Sequence, residues 1–481
     1  MPLSTNMPDD LVSHIHQALK AWHDPADAMG FAALLLAQPM PPQGERPTSR
    51  AMANRILQAG LDALRQTHPE AGELLQRRFQ HGETAREIAY HSDFTVDIVY
   101  QRQRVAIAQL AEVIWAQESA LRREKARRVE LRLEAPTYTR LFGIDAMLAE
   151  ARAQLEAPDG PWLLALEGMG GIGKTTLADA LTRQLAPTPR FTEIAWVSAR
   201  TRLFHLTGEI GVTPDAPVLT PNDLVDRLVE QLGLHSLKRQ ADREKFLGMK
   251  DYFKAQPCLV VLDNLETLAD YRALLPQLRE WVRPSKLLLT TRHSLRGESG
   301  VYILPVAGLT PEDTLAFIRY EATAQGLGEL AQAPDDALQP IHTLTGGNPL
   351  ALKLVLGQVH TFPLPAILAR FKAAEGGGAA ALFDFIYQDA WERLDAPGRT
   401  VLQALLLVPE GGGDLAQIAA VASLSPGEAA DCLQRLALYS LVEITGDLHT
   451  RRYGLHPLTQ SFVERQAWAE ESSGGISPQE G

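Results

Sequence analysis

Cysteine is nearly missing from these 481 residues: Cys258 lies in an apolar, strand-like run and Cys432 in a helical pattern. Two such positions supply neither a disulfide framework nor zinc-ligand spacing, and they fit the cytoplasm. Long apolar runs are missing too. None approaches the roughly 18 residues needed to span a bilayer, so no membrane partner is expected. The opening MPLSTNMPDDLV has no charged segment followed by an apolar one, so no signal peptide is expected. Positive charge is in deficit, with 46 Lys+Arg against 58 Asp+Glu and a net charge of −12. That argues against nucleic-acid binding along the whole chain but allows a local basic face. No internal repeat marks a solenoid or propeller. The remainder is ordinary for a globular protein, 45% apolar and 22% charged, with length for roughly three domains.

The most informative stretch is 167–178, E-G-M-G-G-I-G-K-T-T-L-A. It contains Gly168-x-x-x-x-Gly173-Lys174-Thr175 between a short apolar run, 163–166, and a helical pattern, 175–185. Strand, glycine loop and helix in that order make a phosphate-binding P-loop. Phosphates need several backbone N–H donors converging on one point, and a helix N-terminus adds more. Gly168, Gly170, Gly171 and Gly173 let the backbone curl closely. Ile172 and Thr176 complete the cradle. Lys174 offers a point charge to the β- and γ-phosphates, and the Thr175 hydroxyl is placed for Mg²⁺.

About 90 residues later comes C-L-V-V-L-D-N-L-E, 258–266. An apolar run ending in an acid reads as a buried parallel strand of the Walker B type. Asp263 at its end is the second Mg²⁺ residue. The next residue is Asn264, and an amide cannot take a proton from water. Fast hydrolysis is therefore not expected unless Glu266 substitutes, and slow turnover suits a switch better than a motor.

G-M-G-G-I-G-K-T-T-L-A resembles the NB-ARC branch of the STAND ATPases, the nucleotide switches of apoptosome proteins, plant resistance proteins and bacterial regulators. The resemblance extends over about 138–466. It implies ATP or ADP and Mg²⁺ as ligands, and it assigns further residues. Phe142-Gly143 occupies the place of an aromatic-Gly-Arg motif that lines the adenine pocket, with Ile144 in place of the arginine. The strand 286–291 ends T-T-R, similar to the sensor-one motif. In such a sheet it lies between the Walker A and Walker B strands, which would bring Arg292 near the γ-phosphate. G-N-P-L-A, 347–351, is similar to the G-L-P-L-A motif of the helical lid, with Pro349 against adenine and ribose. His456 in L-H-P-L matches the histidine that contacts the β-phosphate of ADP and locks the closed state, while Pro457 replaces the following aspartate. The resemblance also implies self-association in the ATP state. A long sensor domain is common in the family, so the trigger is expected from a separate sensor protein, from the N-terminal region or from outside this sequence.

Before the core, residues from about 50 to 115 are helical throughout. Two short helices with tight turns at His81-Gly82 and His91-Ser92-Asp93 precede a third, 94–108. Apolar Ile88, Ala89, Val96 and Val99 fit a helix-turn-helix, and E-I-A at 87–89 resembles the helix-turn-helix of sigma-factor region four. If it reads DNA, Thr95, Asp97, Gln101, Arg102 and Arg104 are the candidate contacts. Asp93 and Asp97 would face phosphates unfavourably. Residues 45–132 hold 15 basic against 12 acidic side chains, the least acidic part of the chain. The same packing pattern suits a trihelical module that recruits a protein. The basic run 120–128 reads as a solvated helix face or a supporting phosphate contact, and 131–138 as a linker.

The expected fold class is multidomain, α/β plus α: a parallel-sheet P-loop NTPase core flanked by an N-terminal all-α helix-turn-helix region and a C-terminal helical lid and winged helix. The expected boundaries are 1–50 for a helical segment and linker, 51–132 for the helical region (helix-turn-helix near 73–108) and 138–306 for the core. The lid would follow at 307–380, the winged helix at 381–468 and a disordered tail at 469–481. Three outputs stay open: a signal-responsive DNA-binding regulator, a signalling or defence scaffold, and a plain ATPase.

Overall fold

The computed structural model describes residues 7–24, 31, 34–37, 48–199, 219–265, 268–292, 295, 298–373, 387–388, 390–392, 394–409, 412–438, 441–447, 450–455, 459–460 and 462–467. They fall into two compact units. The first comprises Met1–Arg132, Thr182–Ile194 and Asp251–Leu259; the second comprises Leu133–Leu181, Ala195–Lys250 and Val260–Gly481.

The first unit begins with helices α1 (Leu11–Lys20), α2 (Ser49–Thr67) and α3 (Pro69–Leu75), the last running into a π-helical turn, Gln76–Gln80. Thr48 caps α2 by accepting the Ala51 N–H at 3.2 Å. Helix α4 (Ala85–Ser92) starts with a capping box, Thr84 with Glu87, which satisfies two end donors reciprocally. Asp93 takes a left-handed φ of 52° to end it, and Thr95 caps α5.

Helix α5 runs from Val96 to Glu130, 35 residues. The expected third helix, 94–108, and the separate basic run, 120–128, are therefore one element. No glycine or proline interrupts 96–130, so nothing local stops the helix. One buried stripe runs along it, apolar in the first half and polar in the second. Ile107, Leu110 and Ile114 pack with Ile56, Leu57 and Leu61 of α2 and with Ile15 and Leu19 of α1. Gly60 of α2 lies so close that a Cβ there would meet Ile114 Cγ1 at 2.8 Å. Helix α4 rests on a small satellite cluster of Ala85, Ile88, Ala89 and Val99.

Further along α5 the buried face turns polar. Glu118 is fully buried and accepts the N–H groups of Leu35 (2.9 Å) and Leu36 (3.1 Å) and Nε of Arg122 (2.6 Å). Lys125 donates to the carbonyls of Thr188 (2.6 Å) and Phe191. Arg128 and Arg132 both reach Glu193, at 3.2 and 2.8 Å. The run is thus rooted on one side through Arg122 and Lys125, while Arg123, Glu124, Arg127 and Arg128 stay exposed on the other.

The second unit contains a five-stranded sheet in the order β2-β3-β4-β1-β5. The strands are β1 (Leu163–Glu167), β2 (Glu193–Ser198), β3 (Cys258–Leu265), β4 (Lys286–Thr291) and β5 (Val301–Pro305), of which β2 and β3 begin in the first unit. β1 pairs in parallel with β4 and with β5, Glu167 lying opposite Thr291. The sensor-like strand β4 lies between the strands of the P-loop and of Asp263, as the resemblance implies. The helices of the core are α6 (Asp145–Glu156), α7 (Lys174–Leu185), α8 (Pro221–Gln231), α9 (Asp242–Ala255) and α10 (Leu268–Trp281). Helices α9 and α10 have no counterpart in the reading of the sequence. The loop expected at 201–218, the Pro/Gly-rich linker 39–44 and the tail 469–481 lie outside the described residues.

After β5 come α11 (Pro311–Ala324), α12 (Gly328–Ala331), α13 (Asp335–Thr345), α14 (Pro349–Val359) and α15 (Leu364–Ala373). Then follow α16 (Ala396–Ala404), α17 (Leu415–Ala422) and α18 (Pro426–Leu438), with an antiparallel pair, β6 (Glu443–Gly446) and β7 (Arg451–Gly454). These segments share one apolar core, from Ile318 and Val355 to Val401, Leu433 and Val463.

Burial pushes the Lys125 ammonium down from 10.5 to about 8. Its folded pKa lies below its unfolded one, so its contribution to stability is fully present above pH 10.5 and is lost as pH falls through 8. Thermal unfolding from pH 7.5 to 10.5 is expected to show the native chain gaining on Lys125→Met as pH rises. A pH-independent gap between the two would place the ammonium in water.

Candidate functional site

The carboxyl ends of β1, β3 and β4 meet at one cleft, where parallel α/β sheets place ligands. β1 leads into the glycine loop. The Gly168 N–H donates to the Thr291 carbonyl at 3.2 Å, so loop and Arg292 leave the sheet at the same level. A Cβ on Gly168 would meet the Val306 carbonyl at 2.7 Å, and one on Gly171 (φ +72°) would meet Leu350 Cβ at 2.7 Å. Around Gly173 (φ +102°) a Cβ would meet nothing within 4 Å. The loop is packed on its outer side and open at Gly173. Lys174 Nζ folds onto the carbonyls of Gly168 and Met169, both at 2.8 Å, within reach of an anion in the loop.

Asp263 is 1% exposed at the end of the Walker B strand. Its Oδ1 accepts from Thr175 Oγ1 at 2.9 Å and from Thr290 Oγ1 at 2.6 Å; its Oδ2 accepts from Asn264 Nδ2 at 3.0 Å. Hydroxyl and carboxylate oxygens side by side are the hard donors that Mg²⁺ takes, alongside phosphate oxygens. Thr175 and Asp263 therefore fit the ion. Asn264 has a left-handed φ of 62°. Its N–H donates to Thr290 Oγ1 at 2.8 Å and its amide to Ser198 Oγ at 3.3 Å. Glu266, the substitute acid, lies outside the described residues.

The cleft brings together most of the expected residues: Gly170, Gly171, Gly173, Lys174, Thr175, Thr176, Asp263, Arg292 and Pro349 all line it. Gly168 and Ile172 of the same loop are not on the cleft wall, Ile172 being buried. Phe142 is elsewhere. Its ring packs at 5.5 Å against both Phe317 and Tyr320 of α11, under the Arg140 guanidinium, and is not among the cleft's lining residues. The apolar surface of α11 competes for that ring and takes it. His456 lies outside the described residues.

Other lining residues escaped the sequence reading. The stretch taken as a linker contributes Glu134, Ala135, Pro136, Thr137 and Tyr138; Tyr138 donates to Asp179 of α7 at 2.6 Å. Trp196, Ser198, Leu350, Lys353 and Glu443 complete the wall. Leu350 belongs to the G-N-P-L-A stretch; the others belong to no short motif, and only folding assembles them.

Among the candidate DNA contacts, Thr95 is occupied as the α5 cap, accepting the Ile98 N–H at 3.4 Å. Gln101 and Arg104 are exposed, as is Asp97. Arg102 stacks over Phe94 at 4.0 Å and pairs with Glu70 at 3.5 Å.

A family model described as NB-ARC domain matches residues 144–325. A WD repeat-containing protein of Nostoc sp. is 26% identical over 66% of this chain and 26% of its own length. A disease resistance protein of Vitis rotundifolia is 26% identical over 50% of this chain and 17% of its own. The chain thus spans about a quarter or less of these relatives. A solved STAND protein with a tetratricopeptide repeat sensor from Pyrococcus horikoshii aligns with 72% of this chain and 44% of its own, at 18% identity and a TM-score of 0.44.

Thr290 is the shared partner of Asp263 and of the Asn264 N–H. Thr290→Val keeps the shape and strips both bonds. It is expected to destabilise the chain by about 1–3 kcal/mol, the cost of leaving a buried polar group unsatisfied, with Thr290→Ser restoring most of it. Denaturant unfolding midpoints measure this.

Proposed function

We propose that this chain, whose residues 144–325 match the NB-ARC domain model, is a STAND-class P-loop NTPase acting as an ATP/ADP switch whose exchange controls self-association and DNA binding. One observation carries the reading. The wall of a single cleft combines the P-loop and Asp263 with α14 (Pro349, Leu350, Lys353), with β6 (Glu443) and with the segment 134–138 that follows α5. A nucleotide held there would touch the core and the later segments together. It would bind the closed arrangement and any open one with different affinity, the only way a ligand shifts such an equilibrium.

In this reading Lys174 faces the β- and γ-phosphates, while Thr175 and Asp263 hold Mg²⁺, which would neutralise phosphate charge. Arg292, at the level of the loop, reports the γ-phosphate by charge-assisted hydrogen bonding. Asn264 supplies no base. Hydrolysis is then slow, below about 1 s⁻¹, the low end of typical enzymes. ADP with His456 would favour closure; ATP would favour self-association. The helices after β5 act as lid and winged helix, and the trigger comes from a sensor partner.

For the output, α4 and α5 act as a helix-turn-helix. Gln101 and Arg104 are the side chains free to reach base edges or phosphates, and Arg102 must first leave Glu70 and Phe94. A second reading, recruitment of a protein, is favoured by the groove between α3 and α5, where Ile98 (39% exposed) and Val105 (53%) lie open beside Glu70 and Arg102.

At fixed physiological salt, because non-specific binding depends on it steeply, genomic fragments are expected to be retained with Mg-ATP and not with Mg-ADP. Arg104→Glu should abolish retention. No enrichment in either state moves the output to protein recruitment and leaves the switch standing.

A further inference from the structure

The start of α14 does more than line the cleft. Asn348 is 4% exposed and uses both ends of its amide. Its Oδ1 accepts the N–H groups of Leu350 (3.0 Å) and Ala351 (3.2 Å), capping α14. Its Nδ2 donates to the carbonyl of Gly170 in the P-loop at 3.0 Å. The Leu350 N–H also points at the Gly171 carbonyl, at 3.3 Å. Two consecutive P-loop carbonyls are therefore turned toward α14.

A trans peptide is planar, and its C=O and N–H point in opposite directions. The cis peptide of the described chain is Arg283-Pro284, so the loop peptides are trans. Holding the Gly170 and Gly171 carbonyls toward α14 sends the N–H groups of Gly171 and Ile172 the other way. Positive φ at Gly171 and Gly173, and not at Gly170 or Ile172, is the alternation that lets successive N–H groups converge as an anion nest.

We propose that Asn348 is a positioning residue for the phosphate site: it braces the P-loop from outside, aiming the Gly171 and Ile172 N–H groups inward, so that the seating of α14 sets the loop's affinity for phosphate. The inference rests on the nucleotide reading above. Coupling of this kind is reciprocal. A phosphate that orders the nest also strengthens the hold on α14, and displacement of α14 loosens the nest. Leucine at this position would supply neither the cap nor the brace.

The test separates the two ends of the amide. Serine at 348 can still cap α14 but is too short to reach Gly170. Aspartate keeps the cap and the length but turns an acceptor toward the Gly170 carbonyl. Release of a fluorescent ADP from the full chain, with Mg²⁺, is measured by stopped flow. Asn348→Ser is expected to release it about three- to tenfold faster, the range for one lost hydrogen bond, and Asn348→Asp faster still. Thermal midpoints should stay within a few degrees of the native chain, since both variants retain a capping oxygen. Hydrogen exchange over 168–173 should rise in both variants, while the Thr310 cap of α11 stays unchanged. Native-like release by Asn348→Ser, or unaltered exchange across the loop, overturns the proposal and leaves Asn348 a helix cap. Failure of the native chain to bind the nucleotide overturns the switch reading, and loop exchange still decides whether the brace exists.

Discussion

A carboxylate in the dark sets the terms for the nucleotide site. Asp263 is almost fully buried, and a buried carboxylate persists only where donors surround it. Its donors include Thr175 at the start of α7, Thr290 in β4 and the neighbouring Asn264, three separate places in the chain. Loop, sensor-like strand and Walker B strand are thereby tied to one atom pair. The left-handed backbone at Asn264 follows from the same constraint, because its N–H must reach Thr290 while its amide reaches back to Asp263. An aspartate or glutamate there would set a second charge against the first. The choice of asparagine therefore has a local electrostatic sense.

How much of this was legible depended on whether the determinants were contiguous. The P-loop was readable because one peptide holds the glycines, Lys174 and Thr175, and its helix starts where the motif says. The place of β4 followed from a resemblance and holds in the sheet. The length of α5 was not readable. Its first half shows apolar residues at helical spacing, but its second half buries Glu118 and Lys125, and buried charge looks like surface in a sequence. The same blindness made 131–138 a mere connector. Polar residues with a proline read as a loop, yet Tyr138 is pinned to Asp179 and the stretch walls the cleft. For Phe142 the place was legible but its packing against Phe317 and Tyr320 of α11 was not.

The C-terminal half follows another rule. Lid and later helices were expected as separate domains, and they share one apolar core. Segments packed on common side chains move as a group more readily than apart, since separating them would expose that core to water. Helix α14 meets the glycine loop both through polar contacts, Asn348 to Gly170 and Leu350 N–H to Gly171, and through the Leu350 side chain seated on Gly171.

The long helix α5 carries a mechanical consequence. From Lys125 at its root to Gln101 near its tip is about 36 Å at 1.5 Å per residue. A rod of that length is a lever. A tilt of about 5° at the root would carry the far end, with α1 and α2 packed on it, through about 3 Å. Stiffness along the rod would convert an adjustment at the scale of one hydrogen bond into a displacement of several ångströms at its far end.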